Sequence, residues 1–338
     1  MSGRLDELWI DSQALTGNPL GDPHRRPLYV WAPPDYDKAT DRRYPTIYLL
    51  QGFTGQVDMW RNRSAFRPNV IEALDALFAG DEVPPALLVY VDAWTSLGGA
   101  QFLDSPGTGR YHTYLCDEVV PFVDARYRTL ADREHRGISG HSSGGYGAIV
   151  TSMLRPDLFG AFATHAGDAL FENCYLPDVR RAVRLLRDEY RGSVEQFVAR
   201  FRLGRQRPTM SNAEGAVLNT YAMAACYSAD PDGTVQLPVD VVTGALRPDV
   251  WERWLAWDPV RMVSHYAPDL RSMRGIWIDA GRSDDFYLDL GAVALRRELR
   301  RIRVSPSAVH FELFEGGHSG IEWRYPLAIR WLLERPAA

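Results

Sequence analysis

A short glycine-rich stretch, residues 136–147, constrains the fold of this chain more than any other part of it. It reads as a β-strand, a tight turn and a helix, and Gly140, Ser142 and Gly144 fit the pattern G-x-S-x-G. In so sharp a turn the tip residue is strained, and the residues two before and two after it approach too closely for a Cβ atom. The pattern therefore predicts that Ser142 is presented as a nucleophile. Ser143 fits less well, because only Ser142 has glycine both two residues before it and two residues after it.

Apolar runs of strand length alternate with helical patterns along most of the 338 residues. A run that is apolar throughout is typical of a parallel strand, since both of its faces are buried. The alternation predicts an α/β fold with a mostly parallel central sheet and helices on both faces. We expect parallel strands at residues 44–50, 86–91, 161–165, 275–279 and 309–314 and directly before the elbow, with an antiparallel edge pair within 8–31. We expect helices near residues 70–78, 111–127 and 322–333 and directly after the elbow.

Strand patterns are absent from about residue 170 to residue 265, where four segments have helical patterns (178–190, 194–202, 212–227 and 248–257). We interpret 170–265 as a helical cap inserted into a single domain that spans residues 1–338. Trp251 and Trp254 are three residues apart and fall on roughly one helical face. Our hypothesis is that they form part of the cap wall over the substrate, with an ordinary core contact as the alternative.

Composition excludes several other classes of function. The net charge of −5 provides no electrostatic attraction for nucleic acid or an anionic membrane. No apolar stretch reaches the length of a transmembrane helix, and the first residues lack the pattern of a signal peptide. Three widely spaced cysteines, Cys116, Cys174 and Cys226, form no metal-binding pattern and favour reduced thiols in a cytoplasmic protein. We expect neither a metal nor an organic cofactor.

Two further candidates for catalysis follow predicted strands in the second half of the chain. Asp284 lies in a glycine turn after the strand at 275–279, and His318 lies between glycines after the last strand. With Ser142 they occur in the order Ser, Asp, His, which is the order of α/β-hydrolases. His318 would take the proton of Ser142, and Asp284 would hold the imidazole. Asp285, which could instead cap the following helix, and Asp168 remain alternatives to Asp284.

Acyl transfer also needs hydrogen-bond donors for the developing oxyanion. One donor should be the backbone N–H of Ser143, the residue after the nucleophile. The second should come from the loop after the strand at 44–50, and we expect the N–H of Phe53, with Thr54 as the alternative. Gly52 would allow this loop to approach the substrate closely. The residues that we expect at the substrate are Gly52, Trp94, His141, Trp251 and Trp254.

The chain resembles the Putative esterase family of α/β-hydrolases, which includes esterase D (S-formylglutathione hydrolase), feruloyl esterases, enterochelin esterases and mycolyltransferases. The resemblance rests on residues 50–53, 105–111, 118–124, 140–147, 156–159, 281–286 and 317–318. It implies the α/β-hydrolase fold and esterase activity. The chain departs from the family at Gln51, where many relatives have His or Asp, and in the long helical insertion.

The leading hypothesis is a cytoplasmic serine esterase that hydrolyses carboxylic esters of small molecules through an acyl-enzyme on Ser142. A thioesterase or an acyltransferase with the same residues is the first alternative. A ligand-binding protein of this fold without turnover is the second, although such a protein has no need of an intact triad. Nothing in the sequence indicates an oligomeric state.

Overall fold

In the described residues the central sheet contains eight strands: six of them have at least one parallel neighbour, and the other two form an antiparallel edge. This computed structural model describes residues 1–80, 82–204 and 210–335. The strands are β1 (Arg4–Asp11), β2 (Arg25–Ala32), β3 (Thr46–Leu50), β4 (Leu87–Val91), β7 (Arg136–His141), β8 (Ala161–His165), β9 (Gly275–Gly281) and β10 (Val309–Phe314). A separate two-residue pair, β5 (Asp104–Ser105) and β6 (Gly109–Arg110), lies in the loop after β4.

The strand order in the sheet is β1-β2-β4-β3-β7-β8-β9-β10. Strand β2 is antiparallel to both of its neighbours, and the pairs from β4 through to β10 are parallel. The mostly parallel sheet predicted from the apolar runs is therefore present. Because parallel strands β3, β7, β9 and β10 end at the same edge, that edge collects the loops that follow them.

Helices cover both faces of the sheet. They are α1 (Val70–Phe78), α2 (Tyr111–Thr113), α3 (Val120–Arg126), α4 (Ser143–Leu154), α5 (Phe171–Cys174), α6 (Leu176–Tyr190), α7 (Val194–Leu203), α8 (Asn212–Tyr227), α9 (Pro248–Leu255), α10 (Pro259–Met262), α11 (Ala267–Arg271), α12 (Leu288–Arg301) and α13 (Arg324–Leu333). On β3, Ile47 and Leu49 pack with α1 and α13 on one face, whereas Tyr48 and Leu50 pack in the larger core on the other. This alternation is why the strand is apolar throughout.

Among the helices predicted outside the insertion, one differs from its prediction and another is explained by its cap. The segment expected as one helix from 111 to 127 contains a π-helical stretch, Tyr114–Val119, between α2 and α3. Pro121 follows that stretch and has no N–H to donate to the preceding turn. Helix α1 begins where predicted, because Asn69 and Glu72 form a reciprocal capping box with N···O distances of 2.8 and 3.0 Å.

Helices α5 to α11 lie between β8 and β9, in the segment that lacks strand patterns. The four longer helices, α6 to α9, match the four predicted helical segments to within a few residues. The three short helices α5, α10 and α11 have four or five residues each, and were not predicted. A helix of so few residues makes barely one turn, so it leaves no periodic apolar pattern to read.

Candidate active site

Ser142 lies at the tip of the turn between β7 and α4, with φ 57° and ψ −126°. This left-handed backbone conformation is rare for a residue with a side chain. A Cβ atom on Gly140 would lie 2.3 Å from the carbonyl of Gly144, and one on Gly144 would lie 2.3 Å from the carbonyl oxygen of Leu50. Both glycines of the motif are thus required by direct backbone contacts, and the turn projects Ser142 beyond the sheet.

Ser142, His318 and Asp284 form a continuous hydrogen-bonded line. The Oγ of Ser142 is 3.0 Å from Nε2 of His318, and Nδ1 of His318 is 2.8 Å from Oδ2 of Asp284. Since a carboxylate only accepts, Nδ1 carries the proton and Nε2 is the nitrogen that can accept from serine. The arrangement can therefore remove the hydroxyl proton of Ser142, as the order of the three residues in the sequence predicts.

Asp284 is fixed by its second oxygen as well as by the histidine. Its Oδ1 accepts hydrogen bonds from the backbone N–H groups of Phe286 and Leu288, at 2.9 and 3.3 Å, and the side chain is buried. The proposed cap role of Asp285 is wrong, because Asp284 makes these bonds at the start of α12. Asp285 is exposed. Asp168 instead accepts from Gln101 and Tyr175, so of the three aspartates Asp284 is the one beside His318.

The loop after β3 lies against the elbow. A Cβ atom on Gly52 would be 3.2 Å from the carbonyl oxygen of His141 and 3.5 Å from Cβ of Ser142. The N–H of Thr54 donates to the carbonyl of Gly98 at 2.9 Å, which removes Thr54 as an oxyanion donor. Within the described residues the N–H groups of Phe53 and Ser143 donate no hydrogen bond, so both remain available for an oxyanion.

Gln51 braces this loop from inside the protein. Its buried side chain donates from Nε2 to the carbonyl of Gly55 at 2.7 Å and accepts at Oε1 from the N–H of Ala93 at 3.3 Å. The loop is thereby tied to the strand end of β4. Sequence reasoning identified Gln51 as a departure from the family but did not predict this bracing contact.

His141, the residue before Ser142, packs on His318. Its ring centroid is 4.5 Å from that of His318, with the two planes at 39°. Burial, together with the adjacent His318, lowers the pKa of His141 to about 3. His141 is therefore neutral near pH 7, so it adds no positive charge that would oppose formation of the His318 imidazolium.

A cavity of about 620 Å³ contains Ser142. Phe53 and Thr54 line it from the loop after β3, and Phe286 lines it from the turn that carries Asp284. The rest of the wall comes from the insertion, chiefly Tyr175, Asp178, Arg181, Leu218 and Asn219. The sequence did not reveal these wall residues individually, although Asp178 and Asn219 are polar positions on mostly apolar helical faces.

Three aromatic residues predicted at the substrate lie elsewhere. Trp254 is fully buried inside the insertion, where its Nε1 donates to Ser228 at 2.8 Å, and Trp251 packs against it with ring centroids 5.7 Å apart. Neither residue lines the cavity, and nor does Trp94, whose carbonyl accepts from Arg26 at 2.7 Å. A spacing of three residues predicts a common helical face, but it does not tell whether that face lines the cavity or packs inside the insertion.

The described residues contain no group of three or more His, Cys, Asp or Glu side chains that could hold a metal ion. Over the same residues, no helix is both long and apolar enough to cross a membrane. Cys116, Cys174 and Cys226 are buried free thiols. Burial raises the pKa of the Cys116 thiol to about 12, so it is not a thiolate at neutral pH.

Solved structures share this fold along nearly the whole chain. A ferulic acid esterase aligns with a TM-score of 0.62 and 20% identity, covering 98% of this chain and 99% of that one. An S-formylglutathione hydrolase from Agrobacterium tumefaciens aligns with a TM-score of 0.57 and 14% identity, covering 99% and 96%. These likenesses confirm the predicted α/β-hydrolase fold.

Curated relatives match over shorter stretches. An endo-1,4-beta-xylanase/feruloyl esterase of Xylanibacter ruminicola is 25% identical over 152 residues, which are 44% of this chain and 20% of that protein. An esterase of Mycobacterium tuberculosis is 28% identical over 144 residues, 41% of this chain and 28% of that protein. The S-formylglutathione hydrolase of Mus musculus is 24% identical over 145 residues, 40% of this chain and 50% of that protein. The matches thus span half or less of these relatives.

The family comparison covers far more of the chain. The family described as Putative esterase matches residues 23–330, a range that includes the elbow, the loop after β3, the whole insertion and both Asp284 and His318. The resemblance seen in the sequence motifs is therefore confirmed: the chain belongs to the Putative esterase family.

Proposed function

We propose that this protein is a serine esterase, which hydrolyses carboxylic esters through an acyl-enzyme on Ser142. The observation that carries the proposal is the hydrogen-bonded line from Ser142 through His318 to Asp284, placed at a cavity of about 620 Å³. Membership of the Putative esterase family and similarity to feruloyl esterases support the same reaction.

The proposed reaction begins when a substrate carbonyl lies next to Ser142 Oγ. Nε2 of His318 takes the hydroxyl proton as the oxygen attacks, and Asp284 stabilises the imidazolium that forms. The N–H groups of Phe53 and Ser143 bind the oxyanion. His318 then gives its proton to the departing alcohol, and water activated by the same histidine releases the acid. Loss of one oxyanion donor typically lowers the rate by about 10²–10³, so the loop after β3 contributes strongly to catalysis.

We also propose that residues 170–265 act as a cap within one domain. Helices α6 and α8 supply much of the cavity wall, while the catalytic residues come from the loops and turns at one edge of the sheet. The proposed chemistry thus comes from one edge of the sheet, and much of the wall that a substrate would contact comes from the insertion.

Covalent labelling tests the nucleophile. A fluorophosphonate should modify Ser142 in the wild type, and Ser142→Ala should lose both labelling and ester turnover while keeping its thermal unfolding temperature. Ser143→Ala is the matched control and should retain labelling, because the backbone N–H of residue 143 remains. Labelling of Ser143 instead, or turnover that survives in Ser142→Ala, would reverse the assignment.

A substrate panel tests the bond that is cleaved. The same acyl group is offered as an oxygen ester and as a thioester, with and without an added alcohol acceptor. Hydrolysis of the oxygen ester with the highest kcat/KM supports the proposal. Preference for the thioester, or transfer to the alcohol in place of hydrolysis, contradicts it.

A further inference from the structure

One carboxylate in the wall of the cavity has no part in the triad. Asp168 follows β8, is only 6% exposed, and lines the same cavity as Ser142. The Oγ of Ser143, the residue after the nucleophile, is 3.4 Å from Oδ2 of Asp168. Asp168 therefore contacts the residue next to the proposed nucleophile and faces the same cavity.

Asp168 is held by side chains from two parts of the molecule. Its Oδ2 accepts from Nε2 of Gln101 at 2.9 Å and from the hydroxyl of Tyr175 at 2.8 Å. The same Gln101 amide is 2.9 Å from the hydroxyl of Tyr227. In the described part of the chain these bonds all end on Oδ2, and Oδ1 has no partner. One oxygen of the carboxylate is thus anchored, and the other is left for a ligand.

The anchoring requires unusual backbone geometry. Gln101 and Phe102 are successive non-glycine residues with φ of 52° and 55°, both in the left-handed region. Such conformations persist where the surrounding structure requires them, and they concentrate at functional sites. Burial raises the pKa of Asp168, and the hydrogen bonds from Gln101 and Tyr175 oppose that effect by stabilising the charged form. The strained backbone therefore positions an amide that helps to keep a carboxylate in the cavity wall.

The other charged residues that line the cavity are either exposed to solvent or already paired. Asp178 is neutralised by Nη1 of Arg181 at 3.1 Å and also accepts from Asn219 at 3.1 Å. The Arg181 side chain is 63% exposed, and Asp285 is exposed. Among the described residues that line the cavity, Asp168 is accordingly the buried carboxyl group without a cationic partner.

We propose that Asp168 determines substrate specificity: its Oδ1 accepts a hydrogen bond from a hydroxyl or ammonium group that the substrate carries close to its ester carbonyl, and its charge excludes anionic groups from that place. This inference rests on the proposed esterase function. The substrate class it names is therefore hydroxylated or cationic esters, rather than esters of dicarboxylic acids.

Wild-type kinetics provide the first test. Methyl propanoate, methyl lactate, alanine methyl ester and monomethyl malonate carry a hydrogen, hydroxyl, ammonium or carboxylate near one carbonyl. Ethyl acetate and 2-hydroxyethyl acetate make the same comparison on the alcohol side. In at least one series, the hydroxyl or ammonium ester should have a kcat/KM about 10- to 100-fold above the unsubstituted ester, as a hydrogen bond to a charged group permits. Monomethyl malonate should be the poorest substrate. Equal values across both series would overturn the inference.

Asp168→Asn is the second test. The asparagine Oδ1 can accept from Gln101 and Tyr175 as the carboxylate did, while its NH₂ group replaces the free acceptor with a donor. The preference for hydroxyl and ammonium esters should disappear, and malonate turnover should rise relative to propanoate. Tyr227→Phe is the matched structural control, because within the described residues Tyr227 hydrogen-bonds to Gln101 and Tyr175 in the same cluster but neither bonds to Asp168 nor lines the cavity. It should alter stability without altering the ratios between substrates.

The outcomes separate this inference from the esterase proposal. Turnover of methyl propanoate that depends on Ser142 but shows unchanged ratios in Asp168→Asn would overturn the role of Asp168 and leave the esterase intact. Absence of Ser142-dependent turnover with every ester would overturn both. Equal changes of the ratios in Asp168→Asn and Tyr227→Phe would mean that Asp168 only supports the packing of the insertion.

Discussion

Asp284 and Asp285 are adjacent in the sequence, yet one is buried against His318 and the other is exposed. We predict that Asp284→Asn lowers kcat by about 10⁴, since an amide cannot hold the histidine in the required tautomer. Asp285→Asn is the matched control and should change kcat/KM by only a few-fold. Steady-state kinetics on one ester, with circular dichroism to confirm folding, make the comparison. A larger loss in Asp285→Asn would assign the triad acid to the neighbouring residue.

Single residues were predictable where the local sequence carries the geometric reason. A Cβ atom on Gly140 or Gly144 would lie 2.3 Å from backbone atoms, so the turn requires glycine at both positions. The G-x-S-x-G motif therefore predicts the turn directly. The choice between Asp284 and Asp285 depends on the path of an irregular turn, which no periodic pattern encodes. Trp251 and Trp254 failed as predicted wall residues for a related reason. The partners of Trp254, Tyr175 and Tyr227, come from distant parts of the insertion, and Trp251 packs on Trp254.

At the scale of an element, the loop after β3 is rigid because it is tied at several points. Gln51 holds it through Gly55 and Ala93, and the N–H of Thr54 is bound to Gly98. We predict that Gln51→Leu lowers kcat by about 10-fold or more and changes KM little, because the N–H of Phe53 loses its fixed direction towards the oxyanion. Kinetics with a short ester measure the two constants separately.

The matched control for that loop is Gln56→Leu, the same substitution at an exposed position. It should leave both kinetic constants near those of the wild type. If Gln51→Leu raised KM while kcat stayed constant, the loop would act in substrate binding rather than in stabilising the oxyanion.

Strands and long helices were predicted well, and the reason is visible in β3 and α8. Strand β3 is buried on both faces, and α8 begins at a capping box formed by Ser211 and Glu214. The π-helical stretch Tyr114–Val119 was missed, because its side chains are as apolar as those of a regular helix. Pattern analysis therefore identifies an element but does not reveal an altered hydrogen-bond spacing within it.

For the whole molecule, His141 links stability to pH. Its pKa is about 3 in the folded protein, below the ordinary value of 6.5, so between these values the unfolded chain binds more protons. The contribution of neutral His141 to the free energy of unfolding is fully present above pH 6.5 and is lost as the pH falls towards 3. Between these two pH values the free energy of unfolding changes by up to about 1.4 kcal/mol per pH unit because of this one group. We predict that His141→Gln loses less unfolding free energy than the wild type between pH 7 and pH 5, as measured by urea unfolding.

The exposed His24 provides the matched control for this measurement. His24→Gln should follow the wild-type pH dependence. Identical slopes for His141→Gln and the wild type would show that His141 becomes protonated in the folded protein as readily as in the unfolded chain.

The position of the insertion was predictable, whereas its packing was not. Strand patterns stop after β8 and return at β9, which defines the segment from the sequence alone. Which of its faces meets the cavity depends on contacts such as that of Asp178 with Asn219, 41 residues apart. The apolar pattern of a single helix does not predict a hydrogen bond between side chains on two different helices.

The separation of Ser142 and His318 by 176 residues has a consequence for how the protein is made. The turn that carries Ser142 joins β7 to α4, whereas His318 follows β10, the outermost strand on that side of the sheet. Under the proposed mechanism, a growing chain that has not yet formed β10 has no base for Ser142. We therefore expect reactivity towards esters to appear only after the last strand has docked.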